Sequence, residues 1–321
     1  MALEDAKSQV DLAFTRDDLR GLAFENAFGG APSFLRRRYT KDLRGVDLAI
    51  TGVPFDQAVT HRTGPRFGPR AIREASALQA FDPPYGWGYS PLEELAIADC
   101  GDLAFDYARV AEFPAALTAH VRGILGQGAG TIALGGDHFV SLPILRAYAE
   151  RFGPLALVQF DAHSDLWRDD DPGRIDHGTW TYKAVKEGLI DPGRSIQVGI
   201  RTECDDYCGV AFIDARTAHE RGAAWVAAQI KARVGDARCY ISFDIDALDP
   251  AFAPGTGTPV WGGLASWQAA AILRDLAGID LAGADVVEVS PPFDHGNITA
   301  VAAAHVATEL ICLYGWTRRK G

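Results

Sequence analysis

Short apolar runs separated by longer stretches of helical periodicity limit the folds open to this chain more than any other feature of its 321 residues. Residues 46–53, 131–134, 155–160, 196–200, 240–245 and 285–289 are apolar on both faces, as strands are when helices cover a parallel sheet on either side. Residues 95–98 and 210–213 are weaker examples. Between these runs the spacing predicts helices over 69–80, 113–125, 142–151, 218–234, 266–276 and 298–314. Such alternation implies a single parallel sheet sandwiched by helices and joined by right-handed crossovers. No Pro-, Gly- or Ser-rich linker divides the chain and no internal repeat occurs. Residues 1–45 are more polar and irregular, so they are expected to form an N-terminal extension suited to a subunit contact, ahead of one domain over 46–321.

In an open parallel sheet the functional crevice lies at the carboxyl ends of the strands. Four of the apolar runs are followed there by chemically unusual residues. Leu134 precedes Gly135-Gly136-Asp137-His138, and Phe160 precedes Asp161-Ala162-His163-Ser164-Asp165. Phe243 precedes Asp244-Ile245-Asp246, and Val287 precedes Glu288-Val289-Ser290. On an extended backbone residues i, i+2 and i+4 share a face, so Asp161, His163 and Asp165 project together, as do Asp244 and Asp246. Unpaired, these groups would repel and lose solvation at several kcal/mol each. Divalent cations relieve both costs. Four aspartates and two histidines suit a hard-to-borderline ion such as manganese, and six ligands suit two ions better than one. Asp137 is expected to orient its loop or to support His138, and Asp249, before Pro250, to form a turn. Gly135-Gly136 is expected to form a tight turn and not a phosphate loop, because no Gly-Lys-Ser/Thr follows.

Composition narrows the partners. Forty-two acidic residues against 31 basic ones give a net charge of −11, with no basic stripe to neutralise a nucleic acid. Arg36-Arg37-Arg38 and Arg318-Arg319-Lys320 are short enough to be solvated surface patches. The five cysteines show no pattern of a structural zinc site, the start of the chain lacks a signal-peptide core, and no stretch of about 20 apolar residues suggests a membrane span. A reduced, cytoplasmic protein without membrane or nucleic-acid partners is expected.

Gly-Gly-Asp-His at 135–138, Asp-Ala-His-Ser-Asp at 161–165 and Ser-Phe-Asp-Ile-Asp-Ala-Leu-Asp-Pro at 242–250 resemble, in this order, the three signatures of the arginase/agmatinase (ureohydrolase) family. Thr51-Gly52-Val53-Pro54-Phe55-Asp56 and Gly199-Ile200-Arg201-Thr202-Glu203 are similar to the bacterial agmatinase branch. The resemblance implies a three-layer α/β/α fold on an eight-stranded sheet. It also implies two Mn2+ ions, one held by His138, Asp161, Asp165 and Asp244 and the other by His163, Asp161, Asp244 and Asp246. A hydroxide between them would attack the guanidinium carbon, Asp165 would pass its proton to the leaving amine, Glu288 would pair with the guanidinium, and His177 would shuttle protons. A homo-oligomer, trimer or hexamer, is likewise implied.

The substrate is less sharply written. The Ser/Asn-rich segment with which arginases hold the amino-acid end of arginine has no counterpart in Leu166-Trp167-Arg168-Asp169-Asp170-Asp171-Pro172-Gly173-Arg174. Agmatine, yielding putrescine and urea, is the expected substrate, with Asp169, Asp170 or Asp171 available to attract its ammonium. Arg168 or Arg174 turned inward would favour 4-guanidinobutyrate, and a metal-binding protein without catalysis is the remaining alternative.

Overall fold

The computed structural model describes residues 26–319 together with Lys7 and Ala13. All eight expected strands form, as β2 (Leu48–Gly52), β3 (Ile97–Asp102), β4 (Gly130–Leu134), β5 (Ala156–Phe160), β6 (Ile196–Ile200), β7 (Ala211–Asp214), β8 (Cys239–Asp244) and β9 (Leu281–Val287). A ninth, β1 (Arg38–Tyr39), pairs with β3 at one edge, so the sheet has nine strands where eight were expected. A two-residue strand leaves no periodicity to read. Every pairing is parallel, in the order β1-β3-β2-β4-β9-β8-β5-β6-β7.

Helices cover both faces. On one side α3 (Phe113–Gly126), α4 (Ser141–Phe152) and α5 (Trp180–Lys186) pack through Leu117, Val121, Leu145 and Trp180. On the other lie α1 (Gly68–Ser76), α2 (Pro91–Glu94), α7 (Ala223–Val234), α8 (Ser266–Asp275) and α9 (Ile298–Arg318), packing through Ile72, Leu92, Ile230, Ile272 and Leu310. The helix expected over 218–234 is two: Gly222, at φ 81°, separates α6 (Ala215–Arg221) from α7, because a left-handed residue cannot continue a right-handed helix.

Three expectations are corrected. Arg36 and Arg37 are buried, not a solvated patch, and donate to the carbonyls of Gly29 and Leu35 at 2.9 Å each. Phe34 and Leu35 are buried in the main core, so the sheet's body begins before residue 46, while most of the expected extension lies outside the described residues. Finally, α9 is long and apolar enough to cross a membrane, but 78% of its apolar window is buried inside the fold against β9, α1 and α8. It is the core helix of the α1–α9 layer.

The order of the sheet places the site. After β4 the chain leaps over two positions to β5 and runs outward to β7. It then returns to fill the gap with β8 and β9. β4, β9, β8 and β5 are therefore neighbours in mid-sheet, and their carboxyl ends open side by side at the reversal of strand order.

Candidate metal centre

The four neighbouring strand ends carry the four sequence motifs. After β4, Gly135 and Gly136 turn the chain with φ of 69° and 87°. Neither tolerates a side chain, since a Cβ would stand 2.7 Å from Pro69 Cδ and 2.6 Å from the Val53 carbonyl respectively. The turn delivers His138 over the sheet. Its ring Nδ1 lies 3.0 Å from Asp161 Oδ2, 3.0 Å from Asp165 Oδ2 and 3.1 Å from Asp244 Oδ2. His163 Nδ1 lies 3.4 Å from Asp161 Oδ1 and 3.1 Å from Asp246 Oδ2. Asp165 and Glu288 hold left-handed backbones, φ 53° and 62°, a strain that recurs where side chains are aimed for function.

Two groups of donors could hold a metal: His138, Asp161 and Asp244, and Asp161, His163 and Asp246, each with its donor atoms within 4.8 Å of one another. Asp161 belongs to both. The fit is specific. His138 Nδ1 is buried and makes no hydrogen bond among the described residues, although three carboxylate oxygens surround it. Those oxygens converge on a point to which the imidazole also offers its lone pair, the arrangement a cation needs. The charges agree. Burial and the Asp161 carboxylate push Asp165 up to about 6, and burial with Asp246 and Asp161 pushes Asp244 up as well. Burial works against a charged His163, but Asp246 and Asp161 outweigh it and hold the ring up to about 12. The cluster draws positive charge to itself.

Partners behind these groups fix their aim. His138 Nε2 pairs with Ser242 Oγ at 2.8 Å, and Ser242 donates to Asp285 Oδ1 at 2.6 Å. Ser141 and Tyr240 donate to Asp285 Oδ2 at 2.8 and 2.9 Å. Of the two roles expected for Asp137, the structure gives it the loop-ordering one: it accepts from the Ala58 amide at 2.8 Å and ties its loop to the segment after β2. Asp249 makes its expected turn, accepting from Ala251, Gly262 and Gly263 amides. Asp165 Oδ2 accepts from Trp180 Nε1 at 2.6 Å, and Asp161 Oδ2 from Gln159 Nε2 at 2.8 Å. Glu288 Oε1 accepts from the His138 amide at 2.8 Å and meets His177 Nδ1 at 2.9 Å. Its Oε2 is buried with no partner among the described residues. Burial lowers the proton affinity of His177, but the charge of Glu288 and this hydrogen bond raise it to about 9.

Above this floor is a cavity of about 400 Å³, walled by Trp167, Arg168, Arg174, Asp176 and Gly178. The acidic run offers it no free carboxylate, contrary to expectation. Asp169 is paired with Lys183 at 2.7 Å, Asp170 accepts from Arg168 and Tyr182 at 2.8 Å each, and Asp171 accepts from the Gly173 amide at 2.9 Å. None of the three lines the cavity. Arg168 and Arg174 do, though each is paired within the loop, Arg174 with Asp176 at 2.7 Å. Sequence reasoning missed Ser242, Asp285 and the α5 residues; a serine and an aspartate inside otherwise apolar runs were the available signal for the first two.

A covered parallel sheet whose carboxyl edge holds two donor groups sharing one carboxylate defines an α/β/α protein with a candidate binuclear metal centre. The chain belongs to the Arginase family, which its residues 46–312 match. It is thereby a metal-dependent hydrolase of the kind that acts on guanidino groups. An agmatinase of Chromobacterium violaceum is 50% identical to it over 97% of both chains. The crystal structure of a hypothetical agmatinase from Burkholderia thailandensis matches with a TM-score of 0.93 at 52% identity, covering 97% of this chain and 98% of its own. Proclavaminate amidino hydrolase from Streptomyces clavuligerus matches at 0.85 and 37% identity, covering 91% and 100%.

Proposed function

We propose that the protein is an agmatinase, cleaving agmatine to putrescine and urea. The observation that carries this reading is the meeting of the two donor groups with the Glu288–His177 pair at one floor, in a chain half identical to a named agmatinase. Two manganese ions would be held by His138, Asp161, Asp165 and Asp244 and by His163, Asp161, Asp244 and Asp246. When bound, such ions supply a hydroxide nucleophile at neutral pH, which the resonance-stabilised guanidinium requires.

The protein's own groups do the rest. Glu288 matches the planar guanidinium donors, and its unpartnered Oε2 is the acceptor left for them. Asp165, gripped by Trp180, takes up the proton released as the tetrahedral centre forms and returns it to the leaving amine. His177, protonated at neutral pH through Glu288, relays protons between the site and solvent. The resemblance to agmatinases extends the proposal to a cytoplasmic homo-oligomer, trimer or hexamer.

Arg168 and Arg174 at the cavity favour a second reading, 4-guanidinobutyrate, whose tail is a carboxylate. Urea release from agmatine, 4-guanidinobutyrate and arginine by manganese-loaded protein, with a chelated control, separates the two. Chelator-sensitive release mainly from agmatine is expected. Preference for guanidinobutyrate would replace the substrate and keep the mechanism, whereas no release from any of the three would leave a metal-binding protein without this catalysis.

A further inference from the structure

The segment that walls the cavity, residues 166–176, contains neither helix nor strand. Its own ion pairs do little to shape it. Arg168–Asp170 and Arg174–Asp176 join residues two apart, and the arginine side chains are 79% and 57% exposed, so water competes for both. The anchor comes from α5. Lys183, with only 7% of its side chain exposed, points its ammonium into the loop from beneath. Nζ lies 2.7 Å from Asp169 Oδ2 and donates to the carbonyls of Asp171 and Arg174 at 2.8 and 2.6 Å. An ammonium has three N–H groups, and these three acceptors use them all.

The three acceptors span the loop's turn at Pro172-Gly173, so one buried charge closes the segment around a single point. Tyr182 and Thr179 add bonds to Asp170 and Asp169 at 2.8 and 3.3 Å. Of the loop residues that face the cavity, Arg174 is itself clamped through its carbonyl, and Trp167, Arg168 and Asp176 lie just before and after the clamped stretch. The clamp therefore sets their positions without touching the cavity floor.

We propose that Lys183 is the positioning residue that shapes the wall meeting the substrate's far end, and thereby determines which guanidine is accepted. The substrate half of this rests on the guanidine hydrolysis proposed above; the wall-shaping half does not. Lys183→Met removes the three bonds and leaves Asp169 without its charged partner. Two measurements on the manganese-loaded protein test it.

The first is trypsin cleavage after Arg174, followed by mass spectrometry. Arg174 is exposed, but its carbonyl is held by Lys183, so the wild type must open the loop before it is cut. Cleavage in Lys183→Met should be about tenfold faster or more. Equal rates would overturn the clamp, whether or not the protein has any activity. The second is a KM-against-kcat split. For agmatine KM should rise about tenfold with kcat changed by less than about threefold, while methylguanidine, which has no far end, should be unaffected. An equal loss on both substrates would make Lys183 a residue of general stability and sink the specificity role. No urea from the wild type would refute the hydrolase reading and leave the trypsin result to decide the clamp. Lys183→Cys alkylated with 2-bromoethylamine rebuilds a lysine-length ammonium and should restore both readouts, beside a wild type treated identically. Failure of that rescue with the fold intact by circular dichroism would count against the proposal, and it covers the case in which Lys183→Met does not fold.

Discussion

His138, Asp161, Asp244 and Glu288 each stand at or just past the end of a buried parallel strand, whereas Trp167, Arg168, Arg174 and Asp176 stand on a loop with no regular structure. His138 and Asp244 of the first set line the same cavity as the second, with Asp161 and Glu288 buried beside them, but the two sets are positioned by opposite means. For the floor, the ladder of four adjacent strands aligns the side chains, and short turns such as Gly135-Gly136 complete the aim. For the wall, a seven-residue helix reaches up with side chains that bond loop carboxylates and carbonyls. Thr181 and Trp180, in the same helix, also reach down to Gln159 and Asp165 at 3.0 and 2.6 Å. A floor held by a sheet tolerates little change, so the general chemistry belongs there. A wall held by a few side chains can be altered locally, which is where discrimination between substrates belongs.

The largest effect that could break this division lies in the floor. Asp246 is buried, its Oδ1 fixed by the Ala162 amide at 3.0 Å and its Oδ2 beside His163. Asp246→Ala should lose one bound ion and lower urea release by about a thousandfold or more, equally for every guanidine tested. Metal content by plasma mass spectrometry beside the rate checks it. Two retained ions with full turnover would remove Asp246 from the ligand set, and a loss that differed between substrates would place discrimination in the floor.

A smaller effect reaches the floor from behind. Ser242→Ala cuts the link between His138 Nε2 and Asp285, leaving the ring's orientation to packing alone. Such supporting bonds are worth about 10–100-fold in metal affinity. Titration against a competing chelator should show that loss, with the KM for agmatine at saturating manganese unchanged. Unchanged affinity would mean that the strand ends alone orient the histidine.

The floor was legible in the sequence and the wall was not, for reasons that lie in particular residues. Apolar runs ending in His138, Asp161 and Asp244 state both the strand and the crevice, because parallel strands are buried on both faces and their ends are where polarity returns. Asp285 marks the limit of that reading. Taken as the start of a strand, it lies in the middle of β9, which begins at Leu281. There it is buried because Ser141, Ser242 and Tyr240 satisfy it, and such cross-element bonds leave no local pattern. Helix α5 is harder still. Trp180, Thr181, Tyr182, Lys183 and Ala184 are all buried in succession, so no polar and apolar faces alternate to reveal a helix. A lysine there reads as surface until the loop folded around it is seen. Asp169 and Asp170 read as part of a free acidic turn for the same reason, their partners Lys183 and Tyr182 lying in a helix the pattern conceals.

The finest test of the division uses Gly178, on the rim between wall and floor. A Cβ there would meet Trp167 Cε3 at 3.1 Å and Cζ3 at 3.4 Å, so the indole rests directly on the glycine. Trp167 is 40% exposed and has room to shift outward, which keeps the cost small. Gly178→Ala should therefore raise the KM for agmatine about threefold and leave metal content and methylguanidine turnover unchanged. The same change in a Lys183→Met background should add almost no further KM effect, because the indole it displaces is already unanchored. Residues acting through one contact are non-additive in this way. Full additivity would instead show that Trp167 is held by the floor, through its neighbours Asp165 and Leu166, and would shift the boundary between the two regions by that one residue.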